Sequence, residues 1–167
     1  MTALRTDTAV VLSIAVASAG ALGLALVSQY GFDLWPCLLC YYQRAPYGAA
    51  LVLALLALMP AVDAPSRRLI VGLCAVLFAL NAGIAFYHVG VEEKWWLGPA
   101  ECIGQAQDFS PDDLLAAVNQ AGRTGCEEAA FRFIGISMAG YNVIACALLA
   151  AFYAWAVARK DWWSAKP

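Results

Sequence analysis

The sequence predicts an all-α integral membrane protein, a four-transmembrane-helix bundle with a short surface helix in its second outward loop. Three observations carry this expectation. Of the 167 residues, 63% are apolar and only 13% are charged, against about 45–50% and about 25% in soluble domains. Four stretches each hold about 20 mostly apolar residues, the length a helix needs to cross a bilayer. None of the four alternates like a barrel strand. In hydrocarbon each backbone polar group must pair within its own segment, so the stretches are helices. A mean hydropathy of +0.69 excludes an ordinary soluble domain, and an aromatic content of 12% excludes a solvated disordered chain. The net charge of −2 gives no footing for nucleic-acid binding.

The expected spans run over about 8–29, 39–59, 69–89 and 133–158, and the whole chain, 1–167, forms one membrane domain. Ala17-Ser18-Ala19 in the first span has the small residues of a signal-peptidase site. The apolar run continues to Val27, however, and favours a retained span over a cleaved leader. A polar turn at about 60–68, with Pro65 and Arg67-Arg68, joins the second span to the third. The other loops are about 30–38 and about 90–132. Lys and Arg near helix ends set orientation. Arg5, Arg67, Arg68, Arg159, Lys160 and Lys166 share one side, against Lys94, Arg123 and Arg132 on the other. The first side is expected to be cytoplasmic, with both termini there. The long loop, carrying Glu92, Glu93, Glu101, Asp108 and further acids, then faces outward. Aromatic belts accompany both edges: Trp35, Tyr41, Tyr42, Tyr87, Trp95 and Trp96 outside, and Tyr153, Trp155, Trp162 and Trp163 inside. Within the long loop, Ser110-Pro111-Asp112-Asp113 is a helix start, with Gly122 as its stop; a helix lying on the membrane surface and a solvated turn are both open.

Of the six cysteines, four fall on the outward face as two pairs. Cys37 and Cys40 open the second helix as Cys-Leu-Leu-Cys; Cys102 and Cys126 lie in the long loop. On an oxidising outer face such as a bacterial periplasm, disulfides are expected there. Two residues between cysteines is the spacing of thiol–disulfide oxidoreductases. A thiolate near a helix N-terminus is stabilised by unpaired N–H groups, and Cys40 is better placed for this than Cys37. Arg44 follows one turn later on the same face, where a cation stabilises a thiolate or donates to a ligand carbonyl. An arginine inside a span is costly, which favours a functional role over snorkelling. For Cys102 and Cys126 a structural brace and an exchange relay are both open. Cys74 and Cys146 read as packing residues, and Asn81 and Asn142 as interhelical hydrogen-bonding groups. His88, the only histidine, ends the third span, where a ligand role and a structural role are evenly matched. Gln43 is expected beside Arg44 in the same outer pocket. Zinc is disfavoured: no second Cys-x-x-Cys and no His-x-x-x-His is present.

Trp35-Pro36-Cys37-Leu38-Leu39-Cys40-Tyr41-Tyr42-Gln43-Arg44 resembles the signature of DsbB-type disulfide bond formation proteins. The four spans, the two cysteines in the second outward loop and Tyr87-His88 at the end of the third span extend the likeness over essentially the whole chain. The resemblance implies a quinone-dependent thiol oxidase in the bacterial inner membrane. Such a protein reoxidises a DsbA-like periplasmic thioredoxin-fold dithiol oxidase and passes electrons to ubiquinone or menaquinone. It also implies roles. Cys102 forms the mixed disulfide with the partner and Cys126 is its disulfide mate. Cys40 contacts the quinone and pairs with Cys37. Arg44 supports the quinone, and His88 and Gln43 lie near its pocket. Two alternatives compete. A vitamin-K-epoxide-reductase-like protein carries its redox pair late in the bundle, whereas here the pair opens the second helix. A structural or transport-subunit membrane protein with two stabilising disulfides leaves Arg44 unexplained.

Overall fold

The computed structural model describes residues 5–99, 102 and 125–163. Four helices, α1 (Thr6–Gly31), α2 (Leu38–Ala57), α3 (Ala64–Glu92) and α4 (Met138–Ala158), form the bundle. A two-residue hairpin, β1 (Arg132–Phe133) with β2 (Ile136–Ser137), precedes α4, and a short 3₁₀ turn, Lys160–Trp163, follows it. The surface helix expected from Ser110 to Gly122 lies outside the described residues. Helices α1, α3 and α4 are long and apolar enough to cross a membrane. The N-terminal half of α2 is broken up by Tyr41, Tyr42, Gln43, Arg44 and Pro46, so it has a span's length without a span's apolar character.

Helix ends follow local chemistry. Helix α3 starts at Ala64, earlier than the expected 69, because Asp63 caps it by accepting the Ser66 N–H at 3.0 Å and proline suits the first turn. It runs on to Glu92, past the expected 89. Helix α4 starts at Met138 rather than 133. Ile134 and Gly135 have φ of 49° and 78°, the pair of positive values that turns a two-residue hairpin and stops a helix. Ser137 then caps α4 by accepting the Gly140 N–H at 3.1 Å.

The core sits in the middle and lower bundle. Val10, Val11 and Ile14 of α1 meet Ala50, Ala54 and Ala57 of α2, Val71, Cys74 and Phe78 of α3, and Cys146, Tyr153 and Ala156 of α4. The small residues let the backbones approach closely, as membrane helices require. Tyr153, expected in an aromatic belt, is instead in this core, stacked on Phe78 with its hydroxyl 3.1 Å from Ser13 Oγ. The outer surface is apolar: Val16, Leu24, Leu69, Leu80 and Leu148 are each more than half exposed. That is the inverse of a soluble protein and suits lipid. Two arginines expected to mark a membrane side also tie helix ends together. Arg67 pairs with buried Asp7 of α1 at 3.0 Å, and Arg68 donates to the Val157 carbonyl of α4 at 2.9 Å.

At the other end of α3 the Trp95-Trp96 pair folds back. The Trp96 indole donates to the Tyr87 carbonyl at 2.9 Å, stacks on the Tyr87 ring and lies directly on Gly90. A Cβ at Gly90 would overlap the indole carbons, so only glycine fits. Gly90→Ala is expected to expel the indole and cost about 1–3 kcal/mol, read as a lower Tm with a changed Trp fluorescence maximum.

Candidate functional site

The Cys-x-x-Cys spacing coincides with the geometry of a helix cap. Cys37 is the N-cap of α2 and its sulfur accepts the Cys40 N–H at 3.2 Å. Cys40, three residues on, therefore returns to the same side, and the two sulfurs lie 2.9 Å apart with Cys37 donating. The pair, expected as a disulfide, is drawn into close sulfur–sulfur contact, with no S–S bond joining the two. The Cys37 thiol is pushed well up from its ordinary value, first by this hydrogen bond to Cys40 and then by burial. The Cys40 sulfur is the acceptor, at the first turn of a helix and one turn from Arg44, which is the arrangement that favours a thiolate.

Arg44 does not snorkel freely. It donates to Gln29 Oε1 of α1 at 2.7 Å and toward the Ala25 carbonyl at 3.4 Å, with its guanidinium over the Tyr41 ring. Gln29, buried at 3% exposure, is thus a site residue that the sequence reading missed. An amide at the end of an apolar run was the available signal.

His88 enters from α3. Gln43 Nε2 donates to the Leu39 carbonyl at 3.2 Å and lies 2.8 Å from His88 Nδ1. A carbonyl can only accept, so this side of the Gln43 amide is its NH₂. His88 Nδ1 is then the acceptor and its proton sits on Nε2. The Gln43 oxygen accepts from Asn142 Nδ2 at 2.6 Å, and Asn142 Oδ1 accepts from the Tyr47 hydroxyl at 2.7 Å. That hydroxyl is 3.1 Å from Cys146 Sγ, to which Asn81 Nδ2 also donates at 3.3 Å. Asn81 and Asn142 are the interhelical groups expected. Cys74 and Cys146 are both packed in the core as expected, and Cys146 has in addition three polar partners, Tyr47, Asn81 and Asn142.

His88 Nε2 faces two groups, Cys37 Sγ at 3.5 Å and Glu92 Oε1 at 3.7 Å. Glu92 was read as one of the acids of the outward loop. It is instead the last residue of α3, with a side chain only 4% exposed. The four-residue spacing from His88 was visible in the sequence, but its burial was not.

The second cysteine pair is a disulfide, Cys102–Cys126. It packs in one buried cluster with Cys37, Leu39 and Val91. Cys102 was expected on an outward loop open to a soluble partner; here it is 2% exposed, held against the top of α2 and α3. All four sulfurs are thus gathered at one end of the bundle.

A cavity of about 290 Å³ opens beside them. Ala21, Leu22, Leu24 and Ala25 of α1 form an apolar wall, and Cys40, Gln43, Arg44, His88 and Glu92 contribute the polar one. Apolar walls with few convergent polar groups make a small-molecule site. Cys37, Cys40 and His88 donor atoms lie within 4.8 Å of one another. The sulfurs, however, are closer than the about 3.8 Å edge of a tetrahedral zinc site with Zn–S of about 2.3 Å. Two sulfurs in such close contact are placed for closing a bond between them, not for sharing a metal ion. Nitrogen NMR on His88 is expected to find a protonated Nε2 and a bare Nδ1, and Gln43→Leu should let both tautomers appear.

Comparison with known proteins points to one family. The family model described as disulfide bond formation protein DsbB matches residues 7–156. A disulfide bond formation protein B of Aromatoleum aromaticum is 31% identical over 150 residues, covering 85% of this chain and 87% of its own. One of Chromohalobacter salexigens is 32% identical over 134 residues, 77% of each chain. An uncharacterized protein of Rickettsia prowazekii is 28% identical over 127 residues, 74% of this chain and 72% of its own. No solved structure matches.

Proposed function

Starting from the fact that the chain belongs to the DsbB family of disulfide bond formation proteins, and so is a disulfide-forming membrane oxidoreductase, we propose the following activity. It is a quinone-dependent thiol oxidase of the bacterial inner membrane that reoxidises a DsbA-like periplasmic dithiol protein. The observation that carries this reading is the burial of Cys37 in one cluster with Cys102–Cys126, while Cys40 stands at the wall of the cavity beside Arg44. One end of the four-sulfur path meets a protein and the other meets a lipid-soluble ligand. The excess of Lys and Arg at the opposite end of the bundle supports placing both termini in the cytoplasm.

The residues present fit a quinone. The apolar wall from α1 suits a flat hydrophobic ring at the membrane edge, and Arg44, with five N–H donors, suits a carbonyl oxygen. Arg44 and Cys40 would hold it, with His88 and Gln43 on the adjacent wall. When bound, the quinone supplies the sink for two electrons and two protons. Within the chain, each transfer is thiolate attack on a disulfide sulfur through a mixed disulfide. With Cys37–Cys40 closed as a disulfide, the partner's thiolate attacks Cys102 and Cys126 leaves; Cys126 then attacks Cys37 and Cys40 leaves. The partner's second thiolate displaces Cys102, which attacks Cys126 and frees Cys37. Cys40 is the better leaving group, because the helix N-terminus and Arg44 stabilise its thiolate. Cys37 is the better target, because it is the member of the pair buried with Cys126. Each exchange conserves electrons, since one S–S bond breaks for each that forms. Attack on Cys102 requires that its sulfur, buried here, be uncovered.

Purified protein, a reduced thioredoxin-fold dithiol protein and a soluble ubiquinone analogue provide the test. Loss of quinone absorbance is expected to be catalytic and to vanish in Cys40→Ala. Absence of turnover with ubiquinone and menaquinone analogues alike, in protein holding Cys102–Cys126 intact, would overturn the reading. Arg44→Ala is expected to raise KM for the quinone about tenfold, as loss of one charge-assisted hydrogen bond implies. An unchanged KM would return Arg44 to a helix-packing role through Gln29.

A further inference from the structure

Among the described residues, Glu92 is the one buried acid of the thiol end that the electron path leaves unused. Its Oε1 is 3.7 Å from His88 Nε2, and its Oε2 is buried with no hydrogen-bond partner among the described residues. Ser137 Oγ faces it as well: it accepts the Gly140 N–H and keeps its own O–H to donate to the carboxylate, leaving Oε2 as the oxygen without a partner. The charged groups around it are Arg132 and Glu93 from the segments flanking the long loop, and Arg132 is itself paired with Glu93 at 2.8 Å. From α2 come Cys37, Cys40 and Arg44. Exposed Glu128 lines the same cavity. A carboxyl with an unpaired buried oxygen is costly to keep unless it serves a purpose.

His88 has a single N–H to offer, because Gln43 holds its Nδ1 as an acceptor. That N–H stands between two potential anions, the Cys37 sulfur at 3.5 Å and the Glu92 carboxylate at 3.7 Å. In a low-dielectric site two negative charges this close repel strongly, so one anion at a time is favoured. We propose that Glu92 is the proton acceptor for Cys37, and that His88 Nε2–H hydrogen-bonds whichever of the two is the anion. At rest Cys37 is the thiol and Glu92 the carboxylate. When Cys37 must act as a nucleophile to reclose the Cys37–Cys40 bond, its S–H bond breaks and a Glu92 O–H bond forms, the proton passing through the cavity both residues line. The unpaired Oε2 takes it without breaking a hydrogen bond. His88 keeps its own proton and only redirects it from Oε1 to Sγ. The step moves one proton and no electrons, and it leaves the net charge of the site unchanged. Glu92 is a positioning residue for the redox chemistry, acting on the thiol and through His88.

The inference rests on the oxidase reading for its purpose but not for its test. Fully reduced, quinone-free, full-length protein in lipid nanodiscs is alkylated across a pH series, and mass spectrometry gives the labelling of Cys37 alone. Glu92→Gln removes the like charge and is expected to lower the Cys37 midpoint by about one pH unit; Glu92→Asp should restore most of the wild-type profile. In the wild-type protein the His88 Nε2–H resonance should shift with the same midpoint as Cys37 labelling, which keeps the idea testable should Glu92→Gln fail to fold. An unchanged midpoint in folded Glu92→Gln, or a His88 signal that ignores Cys37 ionisation, would overturn the inference while leaving the oxidase reading standing. Loss of the oxidase reading, by contrast, would show as absent turnover with these thiol titrations unaffected.

Discussion

Gln43 makes hydrogen bonds in three directions, and the thiol end of the bundle is built around them. Its NH₂ holds the Leu39 carbonyl and His88 Nδ1, and its oxygen holds Asn142. In one side chain it therefore joins α2 to α3 and α4. An amide buried in an apolar bundle has no water to turn to, so each of these bonds must be made or its group is left orphaned. That requirement fixes the rotation of α2 about its axis. The same rotation sends Cys40 and Arg44 to the cavity and Cys37 to the Cys102–Cys126 cluster.

The network continues below Gln43 through Asn142, Tyr47, Cys146 and Asn81. Helix packing in lipid gains nothing from exchanging one apolar contact for another, so polar contacts and close backbone approach set which faces meet. The lower bundle uses the second device, with Ala50, Ala54, Ala57 and Ala156 in the core. The upper bundle uses the first. A chain holding polar side chains at one end and small apolar ones at the other separates its chemistry from its anchoring. The separation also explains why α2, unlike α1, α3 and α4, has no stretch apolar enough to count as a span: its first half supplies the cap, the amide and the guanidinium of the site.

Under the proposed relay, burial of the second cysteine pair would set the direction of exchange. Both Cys37 and Cys40 reach the cavity wall, but Cys37 is a fully buried member of the cluster with both loop cysteines, whereas Cys40 is packed at its edge and more open. A pair graded in this way could accept a disulfide's equivalents at its buried member and deliver them at its open one. The helix cap that binds Cys37 to the Cys40 amide keeps that division rigid.

The sequence by itself determined the helical membrane class, the approximate position of the four long helices and the kinship carried by Trp35 to Arg44, since hydrocarbon demands long apolar helices and the Cys-x-x-Cys spacing matches a helix cap. It singled out Cys37, Cys40, Arg44, His88 and Gln43, which the fold brings to one cavity, because unusual residues at helix ends are visible one at a time. The tertiary structure alone decided what depends on two segments meeting. Glu92 reads as a loop acid until α3 is seen to continue through it and bury it, a matter of where Lys94, with φ of 58°, breaks the chain direction. Gln29 becomes a partner of Arg44 only once α1 lies against α2. Tyr153 reads as a belt residue until Phe78 and Ser13 enclose it. The proton position on His88 is fixed by a carbonyl on a different helix, so no local pattern could encode it.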